Sequence, residues 1–328
     1  MAFFSGRLIG LAAIAAVGFL APAHALTFST IYTFCAGGSC TSDEGTKPAA
    51  GVIVDASGNV FGTTQLGGAN GYGTVFKLTP NGSGGYTRTT IYSFCSNTPT
   101  TCTDGGQPEA GLILDVHGNL YGTTARYGHA SSGYYGTAFR LHPTAGGTYN
   151  YKVIYTFCSS TGCADGARPR AGLTYAGAST GALYDGTSPL YGTTYIGGSA
   201  GNGTVFELDP PPTGTNFSET VLHNFCTGAG CLDGANPAAG VVVDGSGNLF
   251  GTAGYGLNGA GVVYEMTKSG AVWNQSAIYT FCPTPVSGCP DGKSPTANLL
   301  VDGTTGDLYG TTSVGGDTYS PTTQPFGL

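Results

Sequence analysis

Charge is the first thing this chain lacks: Asp, Glu, Lys and Arg together make up 9% of 328 residues, where about 25% is typical of a globular protein. Surface helices draw their solvent-facing residues from that group, so the shortage argues against a helical enzyme. Basic residues are scarcer still. Eleven Lys and Arg, scattered singly against eighteen acids, give a net charge of −7 and a pI near 5, and no basic stripe exists to grip nucleic-acid phosphates. Past the N-terminal segment no run approaches the ~20 apolar residues that a membrane helix requires. Helical periodicity, a nucleophile elbow, a phosphate loop and metal-spaced histidines are all missing from the sequence. No cofactor and no metal are expected.

Glycine is abundant instead, at 58 residues, and the 11% aromatic content separates the chain from disordered glycine-rich polymers. Residues 1–25 carry Arg7, an apolar run from Leu8 to Leu20, and Ala23-His24-Ala25, which together fit a secretory signal peptide cleaved after Ala25. The apolar run is too short to cross a bilayer of about 30 Å as a helix. The mature chain, residues 26–328, is expected to be exported as one domain without a membrane span.

Ten cysteines form five local pairs: Cys35 with Cys40, Cys95 with Cys102, Cys158 with Cys163, Cys226 with Cys231, and Cys282 with Cys289. An even count at short, regular spacing in an exported chain reads as disulfides. On the loop-closure argument each contributes about 2 kcal/mol. The rival reading, half a tetrahedral zinc site per pair, is disfavoured by the absence of histidines at ligand spacing.

The cysteine pairs punctuate a fivefold repeat. Each copy starts with an apolar-aromatic strand ending in Cys (IYTFC at 31, IYSFC at 91, IYTFC at 154, LHNFC at 222, IYTFC at 278), and the strand phenylalanines are 60, 63, 68 and 56 residues apart. An acid-Gly turn and a proline follow: Glu44 with Pro48, Asp104 with Pro108, Asp165 with Pro169, Asp233 with Pro237, Asp291 with Pro295. Then come an apolar strand and an Asp-x-x-Gly-Asn hairpin, as in GLILDVHGNLYGTT from 111. A glycine-rich loop leads into a period-two strand such as TVFKLTP at 74.

About four strands per copy predict an all-β, five-bladed β-propeller of four-stranded antiparallel blades. In that register GLILD is innermost, NLYGTT second, TAFRL third and IYSFC outermost. The ring is expected to close by the N-terminal strand, TIYTF from 30, pairing in the last blade. Residues 313–328 read as a degenerate or truncated tail whose 320–328 segment must serve as the third strand, although Pro321 and Pro325 suit a ladder poorly.

These ordered submotifs resemble the GloVer tandem-repeat family of bacterial exported, choice-of-anchor proteins, and the segment around the Asp-x-x-Gly-Asn hairpin resembles NHL-type propeller repeats. The resemblance implies a bacterial, exported, propeller-like protein. Members of such a family are expected to end in a sorting signal; the sequence after Thr312 shows neither an apolar helix nor a basic tail, which points to free secretion or a truncated sequence.

The loops carrying the acid-Gly turns and the glycine-rich loops should share one face. That face gathers candidate ligand-binding residues Tyr72, Tyr127, His129, Tyr134, Tyr135, Tyr195 and Tyr255 with Asp104, Asp165, Asp233 and Asp291. Tyrosine suits glycan or protein surfaces because it is rigid, apolar and hydroxylated. Both sets also have a scaffolding reading: tyrosines building tight loops, and aspartates capping their own turns. The hairpin aspartates Asp55, Asp115, Asp244 and Asp302 read as structural. Repetition leaves few residues set apart for catalysis; Glu109, beside Pro108, is the acid to test, and His223 reads as a packing substitution for tyrosine.

The expectation is therefore a secreted or cell-surface, non-catalytic binding or structural module that recognises extracellular carbohydrate or a surface protein and no nucleic acid. The alternative is a glycosidase-like enzyme on the same face, which would use paired carboxylates about 5 to 9.5 Å apart.

Overall fold

A computed structural model describes residues 29–38, 40–96, 101–129, 133, 135–214, 216–283 and 289–316. The expected signal peptide, Tyr134 and the 320–328 segment lie outside these residues. The chain divides into two units, Met1–Ile31 and Tyr32–Leu328, and everything that follows concerns the second.

Among the described residues no α-helix occurs; the secondary structure is antiparallel β with four short 3-10 turns. Three sheets have the expected four strands in the expected order, inner to outer. The first runs Ile53–Val54, Val60–Thr64, Thr74–Pro80, Tyr86–Ser93; the second Ile113–Leu114, Leu120–Thr124, Thr137–Pro143, Tyr149–Thr156; the fourth Val242–Val243, Leu249–Ala253, Val262–Ser269, Val272–Thr280. These sheets have the form of propeller blades. The third sheet keeps Leu190–Thr194, Thr204–Asp209 and Ser218–Asn224, while its inner strand shrinks to one bridge between Thr174 and Tyr191. A long excursion replaces the Asp-x-x-Gly-Asn hairpin there. It instead buries Tyr184 completely, edge-on to Tyr121 of the second sheet.

In the fifth repeat the described residues give two short ladders, Leu300–Val301 with Leu308–Tyr309 and Lys293–Pro295 with Thr312–Val314. None of residues 29–34 belongs to a strand. Phe34 nonetheless packs on Phe76 of the first sheet, ring centroids 5.0 Å apart, as Phe94 packs on Phe139 and Phe225 on Tyr264.

Apolar side chains on both faces of each sheet hold the structure together, because each sheet is covered by its neighbours. Phe61 and Val75 of the first sheet share a core with Leu112, Leu120, Phe139 and Leu141 of the second. Leu173, Phe206 and Leu208 do the same with Tyr121 and Phe157, and Val241 and Tyr264 with Val205 and Phe225. Every outer strand carries a bulge at the same place, beside Phe76, Ala138, Phe206 and Tyr264, which increases twist where the strand meets the next sheet.

Glycine is required where second and third strands meet. A Cβ on Gly62, Gly122 or Gly192 would lie 2.5 to 2.7 Å from the ring of Phe76, Phe139 or Phe206, so the aromatic ring occupies the space that a side chain would need. Gly310 occupies the same place in the fifth repeat but would meet only Leu299. A largely apolar cavity of about 190 Å³ stands there, lined by Phe281, Leu299, Leu308 and Gly310.

Adjacent repeats are locked by hydrogen bonds that recur in register. The first threonine of Gly-Thr-Thr or Gly-Thr-Ala in each of the first four repeats donates to a carbonyl of the next repeat: Thr63 to Ala110 at 2.8 Å, Thr123 to Ala171 at 2.9 Å, Thr193 to Ala239 at 2.8 Å and Thr252 to Ala297 at 3.3 Å. The residue before each proline has positive φ without being glycine: Lys47, Gln107, Arg168, Asn236 and Ser294, at 52° to 59°. Four of these donate their backbone N–H to the preceding repeat's glycine-rich loop, at Tyr72, Tyr135, Asn202 and Ala260, over 2.7 to 2.8 Å. A conformation costing of order 1–3 kcal/mol is thus held at each inter-repeat joint.

Candidate functional site

The five expected disulfides are all formed, with Cα atoms 4.0 to 5.1 Å apart. Each closes the loop that carries an acid-Gly turn. That loop is hydrogen-bonded to the glycine-rich loop of its own repeat: Gly68 N–H to the Glu44 carbonyl, Gly128 to Cys102, Gly198 to Cys163, Gly316 to Cys289. The two loop sets therefore share a face, as the register requires.

On that face the candidate aspartates serve the protein's own groups. Asp104 accepts from the Tyr92 hydroxyl at 2.6 Å and the Ser96 N–H at 2.8 Å. Asp165 accepts from Tyr155 and from the backbone of Ser159 and Ser160. Asp233 takes the Cys226 N–H and pairs with His223 Nε2, both at 3.0 Å, and Asp291 takes the Cys282 N–H and the Tyr279 hydroxyl. Burial above all, with the adjacent carboxylate contributing, raises the Tyr92 and Tyr155 hydroxyls beyond the ordinary tyrosine range, so they remain donors. Burial lowers His223 below its usual value although Asp233 pulls the other way. In the first repeat Glu44 takes the aspartate's place and accepts from Tyr32 at 2.7 Å.

Several candidate tyrosines are likewise engaged within the loops. Tyr72 and Tyr127 meet edge to face with centroids 5.1 Å apart, and Tyr135 packs against His129 at 5.2 Å. His129 Nε2 lies 3.1 Å from the Phe157 carbonyl. Tyr255 is 51% exposed. Tyr195 differs from these because both Arg168 and Arg170 lie over its ring, at 5.4 and 5.1 Å.

These arginines lead to the cavity that all five repeats share. It measures about 200 Å³, and its walls are the residues flanking each post-proline step: Ala50 and Gly51 from the first repeat, Glu109 to Gly111 from the second, Arg170 to Gly172 from the third, Ala238 from the fourth and Asn298 from the fifth. Backbone contacts run around it. A Cβ on Gly111 would lie 3.1 Å from the Gly51 carbonyl and one on Gly240 would lie 3.0 Å from that of Gly172, while Gly240 N–H donates to Asn298 Oδ1 at 2.8 Å.

The position after the proline reads Ala49, Glu109, Arg170, Ala238, Thr296 around the five repeats. Charge enters at two adjacent repeats, and the two charges meet: Arg170 Nε donates to Glu109 Oε2 at 2.6 Å. Gln65 Nε2 donates to the other oxygen at 3.2 Å, and Arg168 stands 4.0 Å from it. Glu109, the acid singled out for catalysis, is thus held by two cations and an amide. Among the described residues no cluster of three His, Cys, Asp or Glu could hold a metal ion. Sequence reading selected Glu109 and Tyr195 but passed over Arg168, Arg170 and Gln65. The usable signal was that Glu109 and Arg170 break the repeat while sitting beside its most regular element, the proline; Gln65 carries no such signal.

Two stretches, residues 20–189 and 181–323, match the Gloeobacter/Verrucomicrobia repeat. No curated protein matches the chain.

Proposed function

The chain belongs to the Gloeobacter/Verrucomicrobia repeat family, and we propose that it is a secreted or cell-surface, five-bladed β-propeller that binds an extracellular carbohydrate at its channel mouth without turning it over. One observation carries the binding reading: a cavity lined by every repeat is also where the repeat is broken by a Glu-Arg pair. Charges cost desolvation when partly buried. A chain so poor in them has little structural reason to spend two here, when alanine or threonine serves at the same position in the other repeats. Propeller rings focus on their axis, and a mouth lined by non-equivalent residues can orient one asymmetric ligand.

Closure of the ring is supported by the geometry at both ends. Phe34 lies against the first sheet as an outer-strand phenylalanine lies against the next blade. At the other end an apolar cavity stands beside Gly310, at the place that the rings of Phe76, Phe139 and Phe206 fill beside Gly62, Gly122 and Gly192. Thr311, now exposed, would then donate to Ala50 as Thr63 does to Ala110. Export is supported by five disulfides, which persist in oxidising compartments. Among the described residues no helix is long and apolar enough to cross a membrane.

A glycan array probed with the mature protein tests the function. The reading predicts retention of at least one glycan, lost in an Ala238→Trp variant that fills the mouth. Hydrolysis of an array member, abolished by Glu109→Gln, would overturn it in favour of a glycosidase.

A further inference from the structure

We infer that the channel mouth recognises an acidic sugar, a hexuronate, and that Arg170 binds its carboxylate; this rests on the mouth being the binding site. The first ground is where the bases are. In each repeat the post-proline step that walls the cavity adjoins two short segments, the two residues before the proline and the two after Gly-Thr-Thr or its equivalent. Backbone pairing joins the two segments, Thr46 to Leu66, Gly106 to Arg126, Ala167 to Ile196, Ala235 to Tyr255 and Lys293 to Val314. Across the five repeats these positions hold five bases, Lys47, Arg126, Arg168, Arg170 and Lys293, and one acid, Glu109; the rest of the chain holds six bases and seventeen acids. An acidic protein thus gathers five of its eleven bases at these positions, with Arg170 itself in the cavity wall, and such a local excess of positive charge concentrates anions.

The second ground is the state of Arg170. Its guanidinium is fixed on two sides, by Glu109 at Nε and by the Tyr195 ring. Among the described residues no hydrogen bond engages its terminal nitrogens, which carry four of its five N–H donors. A guanidinium held in one plane with its terminal fork open at a cavity wall is pre-organised for bidentate carboxylate binding. The third ground is size and lining. About 200 Å³ is below the ~300 Å³ of pockets for drug-sized ligands, so the mouth takes one terminal residue rather than a chain laid across it. Asn298, with the glycine backbone, supplies neutral groups suited to sugar hydroxyls.

Calorimetric titration with trigalacturonate and with neutral galactotriose, at two salt concentrations, tests the inference. The expected result is that trigalacturonate binds, more weakly at high salt, and galactotriose at least tenfold more weakly. Arg170→Gln should lose at least tenfold in affinity with its melting temperature retained, and Arg170→Lys, which keeps the charge but not the fork, should also lose. Glu109→Gln should bind several-fold tighter, because a competing carboxylate is gone; the charge control Lys268→Gln should match wild type. Equal binding of both probes, or full affinity in Arg170→Gln, overturns the acidic-sugar assignment and leaves the mouth as the site if Ala238→Trp still abolishes binding. Binding of both probes by Ala238→Trp overturns the mouth reading as well.

Discussion

Arg170 and Glu109 join the third repeat to the second through one short ion pair, 2.6 Å from Nε to Oε2, at the only cavity to which every repeat contributes among those described. The Arg170 side chain keeps 34% of its exposure, so water screens the pair and its contribution to stability is small, within about 1 kcal/mol. Glu109→Gln should accordingly shift the melting temperature by no more than about 3 °C, measured by thermal denaturation. A large loss would mean that the pair is there to hold repeats together rather than to present Arg170.

The inter-repeat threonine bonds should matter more. Thr193→Val keeps the shape but strips the buried Ala239 carbonyl of its donor, a loss of about 1–3 kcal/mol. Chemical denaturation of Thr193→Val and Thr311→Val tests two things together. In a closed ring Thr311→Val costs the same as Thr193→Val; in an open one, where Thr311 faces water, it costs nothing.

Glu219 gives the protein an alkaline limit. It faces Leu208 on the outer strand of the third sheet, a place where Tyr151 and Gln275 in other sheets donate to the carbonyls of Asp104 and Asp233. Burial first, then the nearby Asp165 charge, push its carboxyl from 4.5 up to about 8. The folded state keeps a proton that the unfolded chain releases, so stability is full below pH 4.5 and declines as pH rises towards 8. Because Glu219 is only half-buried, solvent screening reduces the loss to on the order of 1–2 kcal/mol. Glu219→Gln should flatten that decline in melting temperature measured from pH 4 to 9, and leave pH 4 unchanged.

His223 acts on the acid side. Its neutral form is favoured in the fold by burial, so stability is present above its ordinary value of 6.5 and falls as pH drops below it. His223→Tyr restores the residue that Tyr92 and Tyr155 supply to their aspartates. It should remove this acid-side loss, read as a higher melting temperature at pH 5 with little change at pH 8.

Much of the fold was legible because repetition amplifies weak signals. The phenylalanine spacing set the repeat, the acid-Gly-Pro and Gly-Thr-Thr elements set strand order, and local cysteine spacing set the disulfides. The third sheet's inner strand was not legible, since the excursion that buries Tyr184 replaces its hairpin without leaving a strand pattern. The aspartates' partners were half legible: the turn was expected, but not that each would reach the tyrosine or histidine of the preceding strand. The mouth was least legible. Glu109 and Arg170 are 61 residues apart, and only the packing of the third repeat against the second brings them together.

The most direct test of the central claim is an experimental structure of the mature protein, read at the junction of first and fifth repeats. The account predicts Thr311 Oγ1 within hydrogen-bond reach of the Ala50 carbonyl, about 2.8 to 3.3 Å as at the other four joints, an aromatic ring beside Gly310, and one cavity walled by all five repeats. A solvent gap between Ala50 and Thr311, with Glu109 and Arg170 on an open surface, would contradict it.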